Sequence, residues 1–128
     1  MSRRDARDVA FKLVFEYAFN ERENNEELEA YTVDMEADDV AYVKEVYFGV
    51  TSHHEELISK ISEHIEKFAI DRLFKVDLAI LLLAVYEITY VESVPYKVSV
   101  DEALNLAKKY STEKSAKYIN GVLAKFAR

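Results

Sequence analysis

The stretch DLAILLLAVYEITYV, residues 77–91, is apolar on nearly every side of a helix. Its most strongly apolar run, residues 78–85, is much shorter than a bilayer span requires, so a buried helix explains it. Such a helix must be surrounded by other packed elements. We therefore expect residues 77–91 to form the centre of the core.

Helical periodicity extends to both sides of this stretch. Apolar residues recur every three or four positions in segments at about 3–19, 38–51, 54–68, 100–110 and 115–126. Only two glycines and one proline occur in the chain, whereas sheet proteins need turn residues far more often. The sequence predicts an all-α fold, a compact bundle of six or seven helices in a single domain over residues 1–128.

Local signals predict where helices begin and end. Two pairs have the spacing of a capping box, Ser2 with Asp5 and Ser99 with Glu102. Ser111 or Thr112 is expected to precede or cap the last helix. Residues 20–27 are polar and rich in asparagine, so they are expected to form a loop. Gly121 lies inside the last helix at a cost of about 1 kcal/mol, which suggests a close approach of another helix there.

The composition favours a protein without enzymatic activity. The 128 residues include no cysteine, so neither a disulfide framework nor a cysteine-ligated metal site is available. The three histidines, His53, His54 and His64, do not have the spacing of metal-binding pairs. A glycine-rich phosphate loop and a nucleophile elbow are also missing, and we expect no catalytic residues, metal or cofactor. The charged N-terminus does not resemble a signal peptide, so we expect a cytoplasmic protein without a membrane segment.

Charge is distributed unevenly along the chain. The 24 acidic residues outnumber the 17 basic ones, which argues against a general nucleic-acid binder. However, residues 16–66 contain 15 acidic and 3 basic side chains, whereas residues 108–128 contain 6 basic and 1 acidic. This division suits a protein that binds phosphate on one face. The alternative is that these residues are only solvated helix faces.

The first helix carries a stripe of cationic and aromatic residues. Arg3, Arg7, Phe11 and Phe15 follow a four-residue spacing, and Arg4 lies beside them. Guanidinium groups bind phosphate and aromatic rings stack on unpaired bases, so this stripe predicts a single-stranded RNA surface. The alternative for Phe11 and Phe15 is burial in a second packing contact.

Several motifs in order along the chain carry a resemblance to a known family. They are RRDAR (3–7), FAIDRL (68–73), AVYEI (84–88), VPYKV (94–98) and YINGVL (118–123). With these motifs the chain resembles the NusB family of bacterial transcription antitermination factors. It departs from the family at Leu82, where an arginine is usual.

The resemblance implies an all-helical fold of two small helical subdomains. It also implies binding of the boxA element of nascent ribosomal RNA together with NusE, a small-subunit ribosomal protein, in an RNA polymerase complex that suppresses premature termination. The RNA contacts that it implies are Arg3, Arg4, Arg7, Lys117 and Tyr118, and the contacts with the protein partner are Phe15 and Glu87. Tyr118 has an alternative interpretation as a core residue, because Ile119 and Val122 beside it are expected to be packed.

Two other functions are compatible with these residues. A related helical domain serves as a substrate-binding module in some ribosomal RNA methyltransferases. Since no catalytic domain follows Arg128, a free-standing factor is favoured. The other possibility is a helical module that binds only protein, in which case the basic ends would be incidental.

Overall fold

The computed structural model describes residues 3–66 and 69–127, and the regular structure in these ranges is entirely helical. The helices are α1 (Arg3–Asn20), α2 (Asn25–Thr32), α3 (Ala37–Ser52), α4 (His54–Ser62), α5 (Ala69–Arg72), α6 (Lys75–Tyr90), α7 (Tyr96–Tyr110) and α8 (Glu113–Ala124). The all-α prediction is confirmed. The described residues form more helices than predicted, because α2 and α5 were not expected.

Helix α6 forms the centre of the bundle, as its sequence predicts. It contacts α1, α3, α4, α7 and α8. Ile80, Leu81 and Leu82 are all completely buried. Leu82, at the position where the family usually has arginine, therefore packs in an apolar core that would not accept an unpaired charge.

The polar segment 20–27 is only partly a loop. Helix α2 begins within it, because Asn24 caps the helix by accepting a hydrogen bond from the backbone amide of Glu27 at 3.0 Å. Glu26 and Glu27 lie in the first turn, where the helix dipole favours negative charge. Leu28 of the same helix is buried against the core. An asparagine that resembled a loop residue is thus a helix cap.

The helix predicted at 54–68 is shorter than expected. Helix α4 ends at Ser62, and the backbone amide of His64 then bonds the carbonyl of Ile61 in a turn. The chain then forms the short helix α5, and two residues separate α5 from α6. Lys67 and Phe68, which the prediction included, lie outside the described residues.

The capping box predicted at Ser99 and Glu102 is wrong. Helix α7 begins four residues earlier than predicted, at Tyr96, with Pro95 in the capping position. Ser99 is buried inside the helix and donates a hydrogen bond to Glu87 at 2.7 Å, while Glu102 binds Arg4. Ser2 of the other predicted capping box lies outside the described residues.

The cap of the last helix agrees with the sequence. The side chain of Thr112 accepts a hydrogen bond from the backbone amide of Ser115 at 2.9 Å, and α8 follows directly. Among the residues described, no helix combines the length and the apolar character that a membrane span requires.

The close helix approach predicted at Gly121 is found at the other glycine. A Cβ atom on Gly49 of α3 would overlap the ring of Tyr86 on α6, so glycine is required where these helices pack. At Gly121 a Cβ atom would meet none of the described residues within 4 Å, and Gly121 is exposed. The prediction failed because a glycine in a sequence does not show whether its missing side chain leaves room for protein or for solvent.

Candidate nucleic-acid interface

The two exposed arginines at the start of α1 each have a carboxylate partner. Arg4 leaves 71% of its side chain exposed and donates to Glu102 from Nε at 3.2 Å and from Nη2 at 3.0 Å. Arg3 is 44% exposed, donates to Asp39 at 3.1 Å and lies 4.7 Å from the centre of the Tyr42 ring. Both guanidinium groups remain open to solvent, whereas their carboxylate partners expose only 12% and 13% of their side chains.

Arg7, one turn further along α1, is buried in a polar network. Its Nε and Nη2 atoms bind the two carboxylate oxygens of Glu87 at 3.3 and 3.4 Å. The hydroxyl groups of Tyr42 and Ser99 also donate to Glu87. Burial alone would lower the pKa of Arg7, but the interactions with Glu87 and Tyr42 outweigh it and raise this pKa. Arg7 therefore remains charged inside the protein.

This geometry changes what Arg7 and Glu87 can do. The resemblance implies that Arg7 contacts RNA and that Glu87 contacts the protein partner. In the structure they bind each other, with only 7% and 2% of the two residues exposed. Their joint effect is to hold the start of α1 against α6, and so to position Arg3 and Arg4.

Asp8 connects α1 to the end of α7. Its carboxylate accepts hydrogen bonds from Lys109 at 3.0 Å and from the Tyr110 hydroxyl at 2.6 Å, and it pairs with Lys12 at 3.2 Å. Burial alone would raise the pKa of Asp8, but Tyr110, Lys109 and Lys12 outweigh it and lower this pKa. The contact therefore stabilises the fold above the ordinary carboxyl pKa of about 4, and this stabilisation is lost as the pH falls through the lowered value.

The opposite end of the α1 stripe forms an apolar groove, which we call the aromatic groove. Phe11, Phe15, Phe19, Tyr31 and Tyr110 line it, and its volume is about 760 Å³. Phe11 stacks on Tyr110 with 4.9 Å between ring centres. Phe11 is buried, as the alternative interpretation expects, whereas Phe15 is half-buried and Phe19 is 59% exposed. The aromatic groove thus offers accessible apolar surface.

The first turn of α8 is held by a buried carboxylate. Asp77, at the start of α6, accepts hydrogen bonds from the hydroxyl groups of Ser111 at 2.8 Å and Ser115 at 2.7 Å. The next residues on α8 include Lys117 and Tyr118, which are both exposed. A rigid support inside the bundle therefore fixes the position of these two candidate RNA contacts.

Tyr118 lies between two hollows with basic walls. One hollow, of about 230 Å³, includes Arg72 and Lys114. The other, of about 510 Å³, includes Lys117 and Lys125, and we call it the α8 groove. Tyr118 is 39% exposed, so it is a surface residue and not a core residue. The RNA contacts predicted from the sequence did not include Arg72, Lys114 or Lys125, although the eight-residue spacing from Lys117 to Lys125 places these two lysines on one side of a helix.

Arg4 and the residues of α8 line different hollows. Arg4 lines a concavity with Lys108 of α7, whereas Lys117 and Tyr118 line the α8 groove. The resemblance implies that Lys117 and Tyr118 lie beside the arginines, and this stays a prediction. No cluster of three or more side chains suited to a metal ion occurs in residues 3–66 and 69–127.

The sequence pattern that describes the NusB family matches residues 4–128, which is nearly the whole length of the chain. The chain belongs to the NusB family. The expectation drawn from the sequence motifs is confirmed. It holds although Arg7 and Glu87, two of the residues expected at the surface, form an internal ion pair.

Similar proteins agree in sequence and in fold. The chain is 41% identical over 127 residues to the transcription antitermination protein NusB of Clostridium novyi (strain NT), with 96% of each chain covered. It superposes on the NusB structure from T. maritima with a TM-score of 0.91 at 31% identity, covering 99% of this chain and 91% of that one.

A further NusB structure was solved as a complex with NusE and double-stranded RNA. The similarity to its NusB-like chain has a TM-score of 0.86 at 29% identity and covers 97% of this chain and 94% of that one. These relatives are named for a role in transcription and not for a reaction, in agreement with the expectation of a non-enzymatic protein.

Proposed function

We propose that this chain is a transcription antitermination factor that binds boxA-type single-stranded RNA of nascent ribosomal RNA together with NusE and suppresses premature termination. The observation that carries the proposal is membership of the NusB family over nearly the whole chain. The complex of a similar NusB protein with NusE and double-stranded RNA supports NusE and RNA as the two kinds of partner. The RNA polymerase antitermination complex would be the site of action.

The proposed RNA surface consists of the exposed basic residues at the start of α1 and on α8. Arg3, Arg4 and Lys117 supply positive charge, and Tyr118 offers a ring on which a base can stack. Arg7 is proposed as a positioning residue, since its guanidinium is already bound to Glu87. An acidic protein with net charge −7 attracts RNA only through such local patches.

The aromatic groove is the proposed contact with the protein partner. Phe15 lies in it, as the resemblance implies, and Phe19 at its rim exposes 59% of its surface. Clustered accessible aromatic side chains are typical of protein-binding surfaces. Glu87 is too buried to touch a partner, so in this proposal it acts by holding Arg7 and the start of α1.

The direct test is RNA binding measured by fluorescence anisotropy, with and without NusE. A boxA-type single-stranded RNA and a scrambled RNA of the same composition are compared at two salt concentrations. We expect tighter binding of the boxA-type RNA and an affinity gain of at least about tenfold with NusE, since a second protein extends the contact surface. Equal affinity for both RNAs with NusE present would contradict the proposal.

Two variants with substitutions at exposed positions test the assigned surfaces. The double variant Arg4→Ala, Lys117→Ala should reduce the slope of log affinity against log salt concentration by roughly 0.7 per lost phosphate contact.

Phe19→Asp should abolish the gain in RNA affinity that NusE gives and leave RNA binding without NusE unchanged. Val33→Asp is the matched control, because Val33 is 76% exposed and does not line the aromatic groove. If NusE no longer raises the RNA affinity of either aspartate variant, the aromatic groove is not the specific contact with the protein partner.

A further inference from the structure

Three polar side chains lie in a row on the exposed side of α7. Asp101, Asn105 and Lys108 follow a four-residue and then a three-residue spacing, which places them on one side of the helix. All three are exposed. At a rise of about 1.5 Å per residue, the row is about 10 Å long. We call it the α7 row, and it presents a carboxylate, an amide and an ammonium group in that order along the helix.

The α7 row lines a concavity of about 370 Å³, and the remaining lining residues are Arg4, Val98, Glu102 and Leu104. Pockets for small molecules have volumes of about 300–1,000 Å³. The lining contains two cationic side chains and two carboxylates, so its formal charge is zero. The carboxylates would repel a phosphate, whereas a flat, uncharged base can use both the polar groups and the apolar side chains. The concavity therefore fits a nucleobase.

The two carboxylates of the concavity have different surroundings. Glu102 exposes only 13% of its side chain and accepts two hydrogen bonds from Arg4. It also accepts a hydrogen bond from the Asn105 amide at 3.3 Å. These bonds hold Arg4 and Asn105 at the concavity. Asp101 is exposed instead, so it is the carboxylate that a ligand reaches.

From this arrangement we infer that the concavity binds one unpaired guanine base of the RNA, which the α7 row recognises. Unpaired bases are recognised by hydrogen bonds to their Watson–Crick edges. Guanine is the one common base with two adjacent donors on this edge, N1–H and the 2-amino group, and the Asp101 carboxylate accepts from both. The neighbouring O6 atom accepts from Lys108, and the exposed guanidinium of Arg4 binds an adjacent phosphate.

The inference rests on the proposed RNA-binding function and gives it a base preference. The resemblance to the family implies Arg4 as an RNA contact, but it does not imply any residue of the α7 row.

The test compares short oligouridines that carry a single central guanosine, inosine or adenosine. Their binding to the full chain is measured by fluorescence anisotropy, with and without NusE. The wild type should prefer guanosine to adenosine by about tenfold, as a bidentate base contact typically does. Inosine lacks the 2-amino group, so its affinity should fall between the other two.

Asp101→Ala should bind all three RNAs equally. Asp34→Ala is the matched control, because it removes the same charge from an exposed position that does not line the concavity. It should keep the preference for guanosine. Both variants should bind the adenosine RNA with the same affinity, since the change in net charge is the same. Both positions are exposed, so both variants should fold.

The possible results separate this inference from the proposed function. If the boxA-type RNA binds but the guanosine RNA has no advantage over the adenosine RNA, the inference is overturned and the proposed function stands. The same conclusion follows if Asp101→Ala keeps the preference for guanosine, because the base is then recognised elsewhere. If the wild type binds none of these RNAs with or without NusE, the inference and the proposed function are both overturned.

Discussion

Glu87 receives hydrogen bonds from three other helices at one buried point. Arg7 comes from α1, Tyr42 from α3 and Ser99 from α7, while Glu87 itself lies on α6. Among the described residues, no buried side-chain nitrogen or oxygen lacks a hydrogen-bond partner. A buried ion pair with all its bonds formed specifies how the helices fit together, but the removal of one partner leaves an uncompensated charge.

Glu87→Gln should therefore lower the free energy of unfolding by about 3 kcal/mol or more, because it leaves the Arg7 guanidinium buried without a counter-charge. Urea denaturation followed by circular dichroism measures this loss. Glu102→Gln is the control, since it removes the same charge from the partner of an exposed arginine, Arg4. Its unfolding midpoint should stay close to that of the wild type. Similar losses for both variants would show that the Glu87 network is not a special source of stability.

At the scale of the helix, the two glycines of the chain have opposite surroundings. Gly49 lies where α3 packs on α6, and an added methyl group would overlap the buried ring of Tyr86. Around Gly121 on α8, no described residue comes within 4 Å of the position of an added Cβ atom. The same substitution should therefore have opposite effects at the two positions.

Gly49→Ala should lower the free energy of unfolding by about 1–3 kcal/mol, because overpacking forces Tyr86 to move. Gly121→Ala should raise it by up to about 1 kcal/mol, since alanine is the better helix former and meets no neighbour. Thermal unfolding of both variants beside the wild type measures the two signs. In a Tyr86→Leu background the loss from Gly49→Ala should shrink. Destabilisation by Gly121→Ala would reveal a contact that the structure does not contain.

At the scale of the whole molecule, one helix connects the others. Helix α6 contacts α1, α3, α4, α7 and α8, and Leu81 at its middle is completely buried. Loss of packing at Leu81 should therefore weaken all these contacts together. Acidic and basic residues, by contrast, are concentrated in different parts of the chain. The electrostatic contribution to binding therefore depends on which part of the surface contacts the ligand.

Leu81→Ala should lower the free energy of unfolding by about 2–5 kcal/mol and preserve a single cooperative transition. Denaturation followed by circular dichroism and by tyrosine fluorescence should give coincident curves. Val98→Ala is a matched control on α7, where the side chain is 39% exposed, and it should change stability by no more than about 0.5 kcal/mol. Two separated transitions for Leu81→Ala would show that α6 does not couple the helices.

The amino-acid sequence by itself determined the helical class, the central position of residues 77–91 and a helix cap at Ser111 or Thr112. These features depend on the spacing of side chains within one helix or turn, which can be seen in any short window of the chain. The order of motifs along the chain also determined the family. Even at this local level the polar residues before α2 were misassigned, because an asparagine favours both loops and helix caps.

Only the tertiary structure decided which candidate residues face a ligand. Arg7 and Glu87 are separated by 80 positions in the chain, and their pairing follows from the packing of α1 on α6. The same packing left Arg4 exposed and Phe15 half-buried in the aromatic groove. Likewise, helix propensity is equal for both glycines, but distance to a neighbouring ring distinguishes Gly49 from Gly121. Exposure and pairing are properties of contacts between distant segments, and periodicity within one segment does not contain them.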